Sequence, residues 1–93
     1  GLMDIFRINS FEQIPVKLKL GLRASSLLVE EYPLAEKYLS PIPDDNTHCI
    51  LDTLVCGYEG IGRFVIGLLD DIEVVESPEF KHYLKGLIAS LKV

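Results

Sequence analysis

The stretch Phe64-Val-Ile-Gly-Leu-Leu-Asp-Asp-Ile-Glu-Val-Val-Glu-Ser-Pro-Glu-Phe80 holds a helix end, an acidic turn, a short strand and a proline-started helix within seventeen residues. Ser77-Pro78-Glu79 supplies a capping serine, a proline whose fixed φ suits the first helical position, and an anion near the positive helix end. A helix therefore begins there, and Ile72 to Glu76 has room only for a short strand. Upstream, Ile61, Phe64, Val65, Leu68 and Leu69 recur at the spacing of one buried helical face, from Glu59 to about Asp70 or Asp71. Downstream, Phe80, Tyr83, Leu84, Leu87, Ile88 and Leu91 give the last helix an apolar stripe almost to the C-terminus, and Lys92 suits its negative end.

The first half has a different rhythm. From Pro15 to Arg23, Val16, Leu18, Leu20 and Leu22 alternate with Lys17, Lys19 and Arg23, which predicts a strand with one buried face. The period then changes: Ala24, Leu27, Leu28 and Tyr32 form a helical stripe after the capping-type serines Ser25 and Ser26, and Pro33 stops it. Glu36 to Ile42 reads as a strand, with Pro41 marking a sheet edge, and Pro43-Asp44-Asp45-Asn46 as the turn of a hairpin. In its second arm, Thr47 to Cys56, Cys49, Leu51, Thr53 and Val55 make an uncharged face assigned to the core; His48, Ile50, Asp52, Leu54 and Cys56 lie opposite.

The resulting order is strand, helix, strand, strand, helix, strand, with an added helix. It predicts an α+β domain, a ferredoxin-like βαββαβ sandwich with an additional C-terminal helix, in which both internal helices cover one sheet face and the other stays open. The amphipathic last helix needs an apolar partner on this domain or on another copy. With 48% hydrophobic residues, 93 residues suffice for one core without disulfide or metal staples. No apolar run approaches a membrane span, and Asp4 and Arg7 interrupt Leu2 to Ile8, so a soluble, cytoplasmic chain without signal peptide or anchor is expected. Residues 1–14 do not fit the plan: they read as a tail or linker from a preceding domain, with Gly1 as a scar of tag removal, and the domain proper as 15–93.

These residues resemble the C-terminal extension, or WCX domain, of the WYL-domain transcriptional regulators of bacteria, over about Pro15 to Leu91. The likeness rests on the opening strand Val16-Lys-Leu-Lys-Leu, the helix and hairpin after it, Arg63-Phe64-Val65-Ile66, the acidic turn Asp70-Asp71, Ile72-Glu73-Val74-Val75-Glu76 and Pro78-Glu79-Phe80. Phe64 stands where the family usually has Trp, Leu69 where it has glycine, and Ser77 where it has proline; a left-handed helix ending at Leu69 would be costly. Phe6-Arg7-Ile8 is similar to the final strand of a WYL core. The resemblance implies a bacterial regulator with an N-terminal DNA-binding helix-turn-helix, a WYL sensor of ligand or nucleic acid, and this domain at the end. Such an extension is expected to oligomerise the protein, as a dimer for example, and to couple effector response through its own WYL core and a second protomer.

Candidate chemistry is sparse. Gly57-Tyr-Glu-Gly60-Ile-Gly62 follows a strand and opens a helix, the setting of a phosphate loop. Its spacing is inverted from the dinucleotide fingerprint, no phosphate-binding Lys with a following Ser or Thr accompanies it, and Glu59 would put an anion at the phosphate; close helix packing explains the glycines better. Lys17, Lys19 and Arg23 make a basic strand face where RNA-recognition folds read bases, but no aromatic side chain stands there for stacking, and a net charge of -5 disfavours binding to a phosphate backbone. Ile50 and Leu54 flank Asp52 on the same open face, either as an interface or as ordinary exposed aliphatics.

His48, His82, Cys49 and Cys56 lack zinc spacing, and the cysteines read as small buried hydrophobes rather than a bridge. Asp44-Asp45 and Asp70-Asp71 are turn and helix-end residues without a nucleophile or base beside them. The expected function is thus regulatory, with neither catalysis nor cofactor nor metal. Lys17, Lys19, Arg23, Ile50, Asp52 and Leu54 form the candidate interface or effector face. The alternative is a small-molecule-binding regulatory domain of the same fold with ligand at a dimer edge, and a nucleotide enzyme fragment ranks third.

Overall fold

The computed structural model describes residues 1–91. Strand β1 (Leu2–Met3) and strand β2 (Asn9–Ser10) make a small hairpin ahead of β3 (Ile14–Gly21). Alternation in β3 does what such a pattern must: Val16, Leu18 and Leu20 are buried, and Lys17 and Lys19 point to the other face. Helix α1 (Leu22–Glu31) and a 3-10 helix (Pro33–Tyr38) lead to β4 (Leu39–Ile42) and β5 (Asp45–Val55). Then come α2 (Glu59–Ile66), a 3-10 turn (Leu69–Asp71), β6 (Ile72–Val74) and α3 (Pro78–Ser90).

The result is an α+β domain whose main sheet has four strands in the order β4-β5-β3-β6, every neighbouring pair antiparallel. Register fixes the faces. Val16 lies opposite Thr53, Leu18 opposite Leu51 and Leu20 opposite Cys49, so one face collects the apolar side chains of both central strands. Ala24 and Leu28 of α1, Ile61 and Val65 of α2, and Phe80 and Leu84 of α3 join them in a single core. Burying each such leucine or isoleucine is worth about 1.5–3 kcal/mol, which is what holds the helices to the sheet. Among the described residues no helix is long and apolar enough to cross a membrane.

Several boundaries differ from expectation. Strand β3 ends at Gly21, so Leu22 and Arg23 belong to α1, and Leu22 is 62% exposed instead of buried. Ser25 and Ser26 lie inside the helix instead of capping it, and the Ser25 hydroxyl donates back to the Leu22 carbonyl at 3.1 Å. Leu27 is exposed. The strand expected from Glu36 begins only at Leu39, because Pro33 starts a 3-10 helix that buries Ala35. Helix α2 ends at Ile66 and a fresh turn carries the chain to Asp71, leaving Leu69 exposed. No left-handed residue is needed at that ending: positive φ among non-glycine residues falls at Arg7, Asp44 and Glu76, the last just after β6. Ser77 stands before α3 without capping it by its side chain; its hydroxyl donates to Val75 O and accepts from Lys17 N–H, both at 3.1 Å, tying the chain to β3.

Residues 1–14 are also more than a tail. Ile5 and Phe6 are part of the core, and the buried Asp4 carboxylate accepts backbone N–H groups of Phe6 (2.9 Å), Ile8 (3.0 Å) and Cys56 (2.8 Å). The last of these fastens the N-terminal hairpin to the end of β5.

Candidate interaction face

Lys17, Lys19, Ile50, Asp52 and Leu54 share the sheet face turned away from the core, as the alternation of β3 and β5 requires. In register, Lys17 is opposite Asp52, Lys19 opposite Ile50 and Pro15 opposite Leu54. Leu54 is 48% exposed and Ile50 half-buried. Arg23 does not belong to this face. It sits in the first turn of α1 and pairs with Asp70 at 3.2 Å.

The face is not basic once its neighbours are counted. Lys19 has Glu73 opposite on β6, Lys17 has Asp52 opposite on β5, and Lys17 Nζ lies 3.4 Å from Glu76 Oε2. Acidic and basic side chains alternate across the strands, and Ile50 and Leu54 stand between them. Beyond Leu54 the surface continues into a shallow cleft bordered by Met3, Leu34 and Tyr38, all exposed. An alternating-charge surface with apolar side chains suits a protein partner better than a polyanion.

The other sequence features have structural roles. Gly60 gives room to Phe6, whose Cβ would lie 2.7 Å from an added Cβ there, and Gly62 gives room to the Tyr83 ring at 2.8 Å. Both belong to α2, so the glycine-rich segment is a packing surface for the N-terminal hairpin on one side and α3 on the other. Asp71 Oδ2 accepts the Ala24 N–H at 2.7 Å, and Asp70 holds Arg23. Asp45 Oδ1 accepts the Thr47 hydroxyl (2.6 Å) and N–H (2.9 Å), and His48 Nδ1 lies 2.9 Å from Asp45 Oδ2. The Thr47 bonds, with those of His48, hold the Asp45 carboxyl at about 2, so it stays ionised. Cys49 and Cys56 are free and half-buried, and burial raises the Cys49 thiol above its ordinary range. His82 stands exposed on α3.

Sequence reasoning missed Asp4, Phe6 and the capping role of Asp71. It also missed an open groove of about 760 Å³ between α1 and the β4–β5 hairpin. Leu22, Val29, Leu39 and Pro41 supply its apolar wall and Glu36 and Asp45 its charge; among the described residues no Lys or Arg lines it. Compared with known proteins, the chain matches no family model, no curated protein and no solved structure.

Proposed function

We propose that this chain is a regulatory and oligomerisation domain of ferredoxin-like βαββαβ arrangement with an added helix, the WCX-type C-terminal extension of a WYL-domain transcriptional regulator. It works in the cytoplasm through protein contacts and effector coupling, without catalysis, and DNA is read by other domains of the same regulator. The strand order β4-β5-β3-β6 with all neighbours antiparallel supports the fold reading. The resemblance in the acidic turn and the proline-started helix supports the family reading. Asp70 and Asp71 are spent on Arg23 and on the start of α1, and Asp45 on Thr47 and His48, which favours contact over acid-base chemistry.

One observation carries the functional reading: Leu54, 48% exposed, and the half-buried Ile50, flanked by alternating charges, lie on the sheet face turned away from the core, where among the described residues no α-helix joins them. That face docks on the WYL core of the regulator and on a second protomer. Sedimentation of the intact regulator tests it. Leu54→Glu should loosen the assembly, and unchanged sedimentation would refute the docking face. A reading frame with no winged helix and no Trp-Tyr-Leu strand upstream of Gly1 would refute the family. Thermal shift with a metabolite panel should be flat for the chain alone, and a stabilising hit would favour the small-molecule alternative.

A further inference from the structure

We propose that the C-terminal half of α3 in one copy of this chain docks into the groove between α1 and the β4–β5 hairpin of a second copy. The inference concerns the chain alone and does not rest on the family reading.

Helix α3 is anchored only by its first half. Phe80 and Leu84 are buried, and the rings of Tyr58, Phe80 and Tyr83 pack together, with Tyr58 and Phe80 centroids 5.1 Å apart. Beyond Leu84 burial thins out: Leu87 is half-buried, Ile88 is 42% exposed, and Leu91, just past the helix end, is 54% exposed. Between Phe80 and Leu91 there is no Asp or Glu, in a chain of net charge -5, while Lys81 and Lys85 lie two turns and one turn before Ile88, respectively. The uncovered stripe is therefore apolar and basic.

The groove is its complement. Leu22, 62% exposed at the start of α1, and Val29, Leu39 and Pro41 offer an apolar seat, while Glu36 supplies the free negative charge; Asp45 also lines the groove but is held by Thr47 and His48, and among the described residues no Lys or Arg lines it. Asp45 remains ionised at any physiological pH. The seat has the right length as well: at 1.5 Å per residue, the stretch of α1 from Leu22 to Val29 that lines the groove spans about 10 Å, and the free turns of α3 need about 9 Å. A copy cannot fill its own groove. The groove borders β4, one edge of the sheet, whereas α3 follows β6, the other edge, and Phe80 holds it there. Two such contacts related by a two-fold axis close a dimer.

Sedimentation velocity on the chain over a concentration series decides the matter. The unsubstituted chain should self-associate; Ile88→Asp on the helix and Leu22→Asp in the groove, both at exposed positions and so compatible with folding, should each abolish it. The charge reversals Lys85→Glu and Glu36→Lys should each weaken association about tenfold by setting like charges together, and their combination in one chain should restore it. Circular dichroism confirms that each variant is folded. A monomer at every concentration overturns the proposal. So does association that responds to the groove substitutions alone, which would mean another occupant, or a double reversal no better than its parents.

Discussion

The Asp71 carboxylate accepts the backbone N–H of Ala24 at 2.7 Å, across 47 residues of chain, and thereby caps the N-terminus of α1. Gly21 makes this possible, since a Cβ at that position would overlap the carboxylate. A residue of the turn before β6 thus does for α1 what Ser25 and Ser26 do not, and it locks β6 beside β3 at the same point, where Ile72 pairs with Leu20. Asp71→Ala should cost about 1 kcal/mol in urea unfolding, the ordinary worth of a helix cap. Gly21→Ala should cost as much or more by evicting the carboxylate. The double variant should be less destabilised than the sum of the two, because both remove one contact.

Phe6 lies over Gly60 and packs its ring edge-on against Tyr32, centroids 4.9 Å apart, so the N-terminal hairpin closes the end of the helix layer. Phe6→Ala should destabilise by about 3–5 kcal/mol, the range for deleting a buried ring. Gly60→Ala should cost about 1–3 kcal/mol through overpacking against the Phe6 Cβ, which as a backbone-proximal atom has little freedom to move. A chain begun at Ile14 should melt well below the intact one by calorimetry. Equal melting temperatures would return the residues before Ile14 to the status of a tail.

How much of this was legible in the sequence depended on the range of the interaction. The alternation of Val16, Leu18 and Leu20, and of Leu51, Thr53 and Val55, is set by a period of two that any half-buried strand imposes, and the core faces of β3 and β5 follow directly. Pro78 likewise marks the start of α3 by local chemistry. The cap on α1 was not legible, because its carboxylate comes from the far side of the fold. Nor was the packing of Asp4 and Phe6, which sit in a hairpin too short to show a period. Arg23 was misplaced by one continued alternation: Leu22 keeps the rhythm of the strand, but the backbone has already turned helical. On the open face, Lys17 and Lys19 were visible as a basic stripe, whereas Glu76, which pairs with Lys17, and Glu73, which lies opposite Lys19, come from a segment more than fifty residues away.

Asp45 makes the start of β5 acid-sensitive. Its carboxyl is lowered from an ordinary 3.8 to about 2, first by the Thr47 hydroxyl bond and then by the Thr47 backbone N–H and His48. A carboxyl depressed in the folded state adds stability that is present above its unfolded value and lost as pH falls through its folded value, here between about 4 and about 2. Carbon-detected titration should place the Asp45 midpoint near 2, and Thr47→Val should raise it toward 3.8 by removing the hydroxyl donor. A midpoint that ignores this substitution would refute the assignment.

The pairing of Lys19 with Glu73, and of Lys17 with Asp52 and Glu76, sets the last expectation. Each lysine that could meet a phosphate has a carboxylate as its cross-strand or salt-bridge neighbour, so an approaching strand of nucleic acid meets as much repulsion as attraction. The Phe, Tyr and Trp rings on which single-strand binders stack bases are missing from β3 and β5 as well, and the one ring there, His48, is bonded to Asp45. A labelled single strand should therefore show no change in anisotropy with the chain at physiological salt. Replacing Asp52 and Glu73 by Asn and Gln should produce weak binding that vanishes as salt is raised, because only the counterion-release contribution would have been restored. Binding by the unsubstituted chain would show that the lysines act free of their carboxylates, and would move the candidate face from protein docking to nucleic-acid recognition.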